Sequence, residues 1–268
     1  TSILSRNMRE ASEAIDRSRR ILGADKELAK SIVSLLISSR TVSSGDDDVE
    51  SRVDYISDVL GVELRNVVRC VNLLREDGVL ADHKDLTAYI FYSDSKNKSL
   101  AVLKKFVSLE EYLLDRIHGE DQTVHLKELN ESALNSGVKS SSVNGLKTIF
   151  YLWTINDLIE KNIDVGNDRL NIVSKCDLSY ARDRHARCAD VANFIVNYLY
   201  EGSVEREIFK DQEGIEEKLV RFSILELKKA YAQSRLFEIE DEDVEEALLY
   251  LSKIDSMRLE GGFLVLYS

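Results

Sequence analysis

Proline is absent from the 268 residues, although average usage near 5% would give on the order of a dozen. Without proline the chain has no polyproline linkers and few abrupt helix stops, so glycine, asparagine, aspartate and serine must form its turns. Cysteine is scarce as well: Cys70, Cys176 and Cys188 are an odd number without CxxC spacing. This argues against a disulfide framework and a four-cysteine zinc site, and it suits a reducing compartment.

Long apolar runs are also missing. No stretch approaches the roughly 20 apolar residues that span a bilayer, and the N-terminal TSILSRNMRE lacks the apolar core of a secretory signal. We therefore expect a folded cytoplasmic protein without membrane contact. The chain begins at Thr1 and not at a methionine, and its last apolar run nearly reaches the final residue, so we interpret it as a piece of a longer protein.

The formal net charge is −12. A phosphate backbone is attracted by a positive local field, so this balance argues against a surface that coats long stretches of nucleic acid. Any DNA contact must be confined to local basic patches.

One arrangement of apolar periodicity occurs three times. Each occurrence has three apolar stripes at helical spacing and then two strand-like runs around a turn, and the second and third also have a short strand after the first helix. The first covers residues 29–90, the second begins at a capping box of Ser108 and Glu111, and the third begins near residue 187. Gly166–Asn167 and Gly261–Gly262 predict the hairpin turns that close the second and third.

Helix, strand, helix, helix, hairpin is the winged-helix arrangement. The sequence therefore predicts a helix-rich α+β fold of three tandem winged-helix modules with small β-hairpin wings. The expected boundaries are a leading helix or linker over 1–26 and modules over 27–100, 101–180 and 181–268. The alternative is an irregular helical domain with hairpins.

Two segments, RCVNLLREDGVLADHKDLTAYI at 69–90 and FSILELKKAYAQSRLFEIEDEDVEEALLYLSKIDSMRLEGGFLVLY at 222–267, resemble the C-terminal portion of large bacterial RecQ-like ATP-dependent DNA helicases. The resemblance implies a non-catalytic, DNA-binding region that follows a helicase motor acting in DNA repair and recombination. The four-cysteine zinc module of many RecQ proteins has no counterpart here, and the two turn pairs carry no aromatic wedge for strand separation.

No catalytic motif is present. The phosphate-binding pattern GxxxxGK[ST] is missing, so the resemblance places ATP and Mg²⁺ in a motor outside this chain, and we expect no cofactor within it. The segment DEDV at 241–244 resembles a helicase metal-binding box, but its position at a predicted helix start favours dipole capping. His185, Cys188 and Cys176 could supply metal ligands, although a fourth ligand at suitable spacing is lacking, and ordinary packing is the alternative.

Nucleic-acid binding is the remaining chemistry, and the third helix of each module is the element that usually enters the major groove. The helix of the third module begins with six carboxylates, which predicts that this module does not bind DNA and instead contacts the motor or a protein partner. The basic segment ARDRHAR at 181–187 could form either ion pairs between modules or phosphate contacts. The candidate DNA-binding residues are in the first two modules: Arg65, Asn66, Arg69, Lys139, Ser140, Ser141, Asn144 and Lys147.

Two functions remain open from the sequence. The first is a DNA-binding accessory region of a RecQ-like helicase, nucleoid-associated in a bacterial cytoplasm, that holds duplex or junction DNA through its first two modules. The second is a tandem winged-helix scaffold for protein–protein interaction, as in chromosome-segregation complexes, and the net charge of −12 favours it.

Overall fold

A computed structural model describes the chain with several gaps. The described residues are 23, 25–42, 53–76, 79–80, 85–91, 95–117, 121–164, 169–202, 204–210, 214 and 216–260. The leading segment 1–22, the turn pairs Gly166–Asn167 and Gly261–Gly262, and the return strand expected after the second pair lie outside these residues.

The fold is helix-rich α+β with small antiparallel sheets, as the sequence predicts. The helices are α1 (Asp25–Val42), α2 (Val53–Leu60), α3 (Leu64–Glu76), α4 (Lys96–Arg116), α5 (Leu126–Asn135), α6 (Val143–Ile155), α7 (Leu178–Glu201), α8 (Ile224–Arg235) and α9 (Asp241–Lys253). The strands are β1 (Asp85–Phe91), β2 (Gln122–His125), β3 (Ile159–Asp164), β4 (Arg169–Ser174), β5 (Glu205–Lys210), β6 (Glu216–Ser223) and β7 (Arg258–Glu260).

A first compact unit contains the described residues up to Leu86. In it α1, α2 and α3 contact one another, and the apolar residues that predicted these helices line a common core. The buried members of that core are Ala29, Ile32, Val33, Leu36, Ile56, Val67, Cys70, Val71, Leu74, Val79 and Leu80.

A second compact unit runs from Thr87 to Glu260. In its N-terminal half, α4, α5 and α6 lie beside an antiparallel sheet of order β2–β4–β3. The hairpin expected around Gly166 is confirmed, since β3 and β4 pair from Ile159 with Ser174 to Asp164 with Arg169. Helices and sheet enclose one apolar core with Phe150 and Trp153 in T-shaped contact.

In the C-terminal half of this unit, α7, α8 and α9 contact one another, and β5 and β6 form a hairpin. The sheet beside them has the order β5–β6–β1–β7, with Thr87 of β1 opposite Glu260 of β7. The sequence analysis placed β1 in a hairpin that closes the first module, whereas β1 lies here between two strands far along the chain. Local alternation predicts a strand but does not identify its partners, because pairing is a long-range property.

Two predicted helix starts are wrong. The first helix of the third module was expected from near residue 187, but α7 begins at Leu178. The capping-box spacing of Ser108 and Glu111 lies inside α4, which begins at Lys96 after its N-cap, Ser95. The Ser95 hydroxyl accepts a hydrogen bond from the Lys98 amide. A Ser and a Glu three residues apart also fit a helix interior, so that pattern marks a start only where the preceding residues leave the helix.

The third helix of each set of three ends in the same turn. In each, an amide just beyond the helix donates to a carbonyl five residues back, and in the second and third the residue before that amide has a left-handed backbone, with φ of 56° at Asp157 and 57° at Asp255. The three bonds are Val79 N to Leu74 O at 2.9 Å, Leu158 N to Trp153 O at 2.9 Å and Ser256 N to Leu251 O at 3.0 Å.

Candidate nucleic-acid interface

The first turn of α6 is fixed against α4 by a cap and a close approach. Ser142 is the N-cap, and its hydroxyl accepts a hydrogen bond from the Gly145 amide at 3.0 Å. A Cβ atom at Gly145 would lie 3.1 Å from Ser142 Oγ and 3.4 Å from Leu109 Cδ2. A side chain at this position would crowd the cap hydroxyl, so glycine suits the first turn of α6.

Two serines in the loop before α6 contact α4 and α5. Ser141 Oγ donates to Asn130 Oδ1 of α5 at 2.7 Å, and Ser140 Oγ makes a longer contact with the Lys105 carbonyl of α4 at 3.5 Å. These two predicted DNA-binding residues thus have internal partners.

Lys139, Asn144 and Lys147 are exposed at the same end of α6. Neither lysine forms an ion pair with the part of the chain that the structure describes. The sequence around them contains no acid between Glu131 and Asp157. The positive end of the helix dipole adds to the two charges, so this end of α6 attracts anions.

Tyr151 lies one helical turn beyond Lys147, on the same face of α6. Its ring is contacted by two ammonium groups from other elements: Lys161 Nζ of β3 is 5.4 Å from the ring centroid, and Lys253 Nζ at the end of α9 is 5.0 Å from it. Both distances are within the range of cation–π attraction. Side chains of α6, β3 and α9 therefore meet at the ring of Tyr151.

The predicted residues of the first module are placed differently. Arg69 of α3 donates from Nη2 to Asp25 Oδ1 at the start of α1, at 2.8 Å. Its charge is thus balanced by a carboxylate inside its own compact unit. Arg65 and Asn66 are partly exposed on the same helix. This set and the α6 set lie in different compact units.

The carboxylates at the start of α9 are occupied by capping and ion pairs. Glu240 and Asp243 form a reciprocal capping box, which confirms the capping interpretation of the DEDV segment. Asp243 also lies 3.6 Å from Arg187, and Asp241 lies 2.6 Å from Lys228 of α8. These acids therefore stabilise the start of α9 and join it to α7 and α8. The sequence analysis predicted the capping but not the ion pairs.

The ARDRHAR segment forms ion pairs, which was one of its two predicted roles. Arg182 pairs with Asp115 of α4, and Arg184 donates to Glu246 of α9 at 2.9 Å. Arg184 is buried and also donates to the Asn156 carbonyl at 2.9 Å. α7 is thereby joined to the two helices on either side of it.

A second polar cluster is buried where α4, α6, α7 and α9 meet. The Glu110 carboxylate accepts hydrogen bonds from Trp153 Nε1 at 2.7 Å and from the Tyr250 hydroxyl at 3.0 Å. His185 Nδ1 lies 3.1 Å from the same carboxylate. No feature of the sequence distinguished Glu110 from the exposed Glu111 beside it.

The cluster controls the protonation of its members. Burial by itself raises the pKa of Glu110, but the hydrogen bond and charge of His185, with the bonds from Trp153 and Tyr250, hold that pKa below its usual value. Burial likewise opposes the charged form of His185, yet the hydrogen bond to Glu110 and the charges of Glu110 and Glu111 raise the pKa of His185. Both shifts favour the imidazolium of His185 and the carboxylate of Glu110 over their neutral forms.

A cavity of about 20 Å³ borders this cluster and is lined by Asn156, Cys188 and Glu246 among others. It has room for one water molecule and not for an organic substrate. Burial, followed by the charges of Glu246 and Glu110, raises the pKa of Cys188 well above its usual value, so the thiol stays protonated. Within the described residues no three His, Cys, Asp or Glu side chains are grouped to hold a metal ion. We assign the cluster a structural role.

Sequence reasoning identified Lys139, Asn144 and Lys147 because they are basic or polar and lie in an acid-free segment. It missed Tyr151, Lys161 and Lys253, which come together only through tertiary contacts between segments up to about a hundred residues apart. Lys253 was also overlooked because it follows the acidic run at the start of the same helix.

Among the helices that the structure describes, none combines the length and apolar character needed to cross a bilayer. Comparison with known proteins found no matching family model, curated protein or solved structure.

Proposed function

We propose that this chain is the DNA-binding, non-catalytic region of a RecQ-like ATP-dependent DNA helicase. DNA, as duplex or junction, is its partner, and ATP and Mg²⁺ belong to a motor outside the chain. In this proposal the region acts in DNA repair and recombination in the bacterial nucleoid.

The order of elements supports a winged-helix architecture for the module built from α4 to β4. Three helices with a strand after the first, then a hairpin, and a sheet of order β2–β4–β3 are the parts that this architecture requires. The common turn after α3, α6 and α9 supports the same architecture in all three sets of helices. In such modules α6 is the helix that enters the major groove.

The observation that carries the proposal is the acid-free start of α6. Lys139 and Lys147 are exposed there beside the positive helix end, and Asn144 lies between them with a side chain that can contact phosphate or a base edge. This is a local basic patch on an acidic protein, which is the form of DNA contact that the net charge of −12 allows.

A salt-dependent binding measurement tests the proposal. The wild type and Lys139→Gln/Lys147→Gln are titrated with a fluorescent duplex of about 20 base pairs at several salt concentrations. Each lost phosphate contact removes about 0.9 from the slope of log K against log salt, so we expect the double variant to lose roughly 1.8. Lys229→Gln, at an exposed lysine of α8, should change neither affinity nor slope. An unchanged slope in the double variant would exclude α6 as the DNA contact.

The alternative is a scaffold for protein–protein interaction. Two observations favour it: the acidic net charge and the Arg69–Asp25 ion pair, which neutralises a predicted phosphate contact. A wild-type chain that shows no salt-dependent DNA binding at low salt would support the scaffold over the DNA-binding region.

A further inference from the structure

We propose that a single water molecule binds in the cavity beside the Glu110 cluster, where it bridges His185 of α7 and Asn156 at the end of α6. The site is independent of the DNA-binding function proposed above. It belongs to the compact unit from Thr87 to Glu260 and makes one solvent molecule part of the junction between α6 and α7.

Each of the two residues carries a buried polar atom that still needs a hydrogen bond. The side chain of His185 is 8% exposed, and Asn156 is also 8% exposed. Within the part of the chain that the structure describes, His185 Nε2 and Asn156 Oδ1 have no hydrogen-bond partner. Buried polar atoms are almost always hydrogen-bonded, to the protein or to an ordered water molecule, because an unmade bond leaves their desolvation uncompensated. Both atoms therefore require a partner other than the described side chains.

Other contacts of the same two residues fix their positions. Asn156 is the C-cap of α6, and its carbonyl accepts a hydrogen bond from Arg184 Nη1 at 2.9 Å. Arg184 precedes His185 on α7, so this bond holds the end of α6 beside the turn of α7 that carries the histidine. His185 Nδ1 lies 3.1 Å from the Glu110 carboxylate. Because the two nitrogens of an imidazole ring point in divergent directions, Nε2 is directed away from that carboxylate.

The cavity at these residues fits one water molecule. Asn156 and His185 both line it, and its volume of about 20 Å³ exceeds the roughly 10–15 Å³ that a water molecule requires. Cavities that stay dry are lined by apolar groups, whereas Glu110, Glu246 and Cys188 also line this one. Each of the two carboxylates has a basic side chain beside it, so the charges balance and an uncharged ligand is favoured.

Water can serve both atoms in either protonation state of the histidine. One O–H donates to Asn156 Oδ1, which can only accept. The water oxygen accepts from His185 Nε2 when that nitrogen carries a proton, and the second O–H donates to Nε2 when it does not. The thiol of Cys188, which is not in a disulfide, is a third polar neighbour. A buried water molecule typically makes about three hydrogen bonds, so these neighbours are sufficient.

Oxygen-17 relaxation dispersion of the solvent counts the long-lived water molecules bound to the intact chain. Asn156→Leu keeps the approximate size of the side chain but replaces the acceptor with methyl groups, so we expect it to bind one long-lived water molecule fewer than the wild type. Asn193→Leu is the matched control because it makes the same change at a partly buried asparagine of α7 that does not line the cavity. It should retain the wild-type count. Thermal unfolding verifies that each variant is folded.

A high-resolution crystal structure of the wild type tests the same site without any substitution. We expect one density peak at hydrogen-bond distance, about 2.7–3.2 Å, from both His185 Nε2 and Asn156 Oδ1. A direct hydrogen bond between these two atoms, or a cavity without such a peak, would overturn the proposal whether or not Asn156→Leu folds.

The measurement in solution can contradict the bridge as well. If Asn156→Leu retains the wild-type number of long-lived water molecules, the side chain of Asn156 does not bind one. If Asn193→Leu loses one too, the loss is not specific to the cavity. In either case the bridging water is wrong, whereas a loss confined to Asn156→Leu together with the density peak supports it.

Discussion

Glu110 is a carboxylate buried at the junction of four helices. An uncompensated buried charge costs several kcal/mol, and here the Trp153 and Tyr250 donors and the His185 ring compensate it. Each donor comes from a different helix, so the carboxylate retains its low-energy state only when α6, α7 and α9 are all in place. A single side chain thus makes the packing of one helix depend on the others.

The Glu110–His185 pair predicts a pH dependence of stability. The raised pKa of His185 means that its contribution is complete below the unfolded-state pKa of about 6.5 and is lost as pH rises through the folded-state pKa. The lowered pKa of Glu110 has the opposite sign, with a contribution that is lost as pH falls through the folded-state pKa. We expect the free energy of unfolding, measured by urea denaturation, to fall between pH 6 and pH 8.

Matched variants identify the group responsible. His185→Gln should flatten this fall, whereas His125→Gln, at a part-buried histidine of β2, should retain it. The window ends at about pH 8 because unfolded cysteine ionises near pH 8.5, and the raised pKa of Cys188 adds its own loss of stability above that value. Equal slopes in the wild type and His185→Gln would contradict the assignment.

At the residue scale the sequence predicted what depends on local composition. Lys139 lies in the polar loop before α6 and Lys147 lies outside the apolar stripe of α6, and both are exposed as these positions predict. The burial of Glu110 and the contacts of Tyr151 depend on residues between about ten and a hundred and forty positions away, and no local pattern encodes such distances.

At the scale of single elements, α8 shows how a helix of this chain ends without proline. α8 ends at Leu236, whose φ of 58° places a branched residue in the left-handed region that glycine normally occupies. Its side chain is 92% exposed, so no packing compensates for the conformation. For a residue with a Cβ that region costs roughly 1–2 kcal/mol.

Leu236→Gly should therefore stabilise the protein. The relief of backbone strain exceeds the extra entropy that glycine gives the unfolded chain, so we expect a net gain of about 0.5–1 kcal/mol in the free energy of unfolding. Leu236→Ala is the matched control because it removes the exposed side chain but keeps the Cβ, and it should give no gain. A glycine variant no more stable than the alanine variant in urea denaturation would show that Leu236 is unstrained.

Element types were predicted better than element limits and partners. Apolar spacing is a property of the whole helix, so each third helix and the β3–β4 hairpin were found. The start of α4 depends on where the chain enters the helix after its N-cap Ser95, thirteen residues before the pattern at Ser108. The position of β1 depends on β6 and β7, which follow it by more than a hundred residues.

At the scale of the whole molecule, the region from Thr87 to Glu260 joins two sets of three helices in one compact unit. α4 contacts α7, the Lys96–Glu201 ion pair joins the same two helices, and Ser99 and Ser256 exchange hydrogen bonds at 3.3 Å. Deletion of residues 181–268 would remove His185 and Tyr250 and leave Glu110 without two of its partners. Such a deletion would disturb the folding of the remaining helices. Single substitutions are therefore the cleaner test of DNA binding.

The same contacts predict that this unit opens cooperatively. Glu110→Gln removes the charge that pairs with His185 and places an amide among hydrogen-bond donors, which should cost about 3 kcal/mol. Native-state hydrogen exchange measures the cost separately at Ile172 of β4 and at Val220 of β6, which lie in different sheets. If the two sets of helices unfold as one, the opening free energies of both amides fall by the same amount.

Glu111→Gln, at the exposed neighbouring position, is the matched control and should change either opening free energy by less than about 0.5 kcal/mol. A loss of protection at Ile172 with full protection at Val220 would show instead that the two sets unfold independently and that the Glu110 cluster stabilises only the first of them.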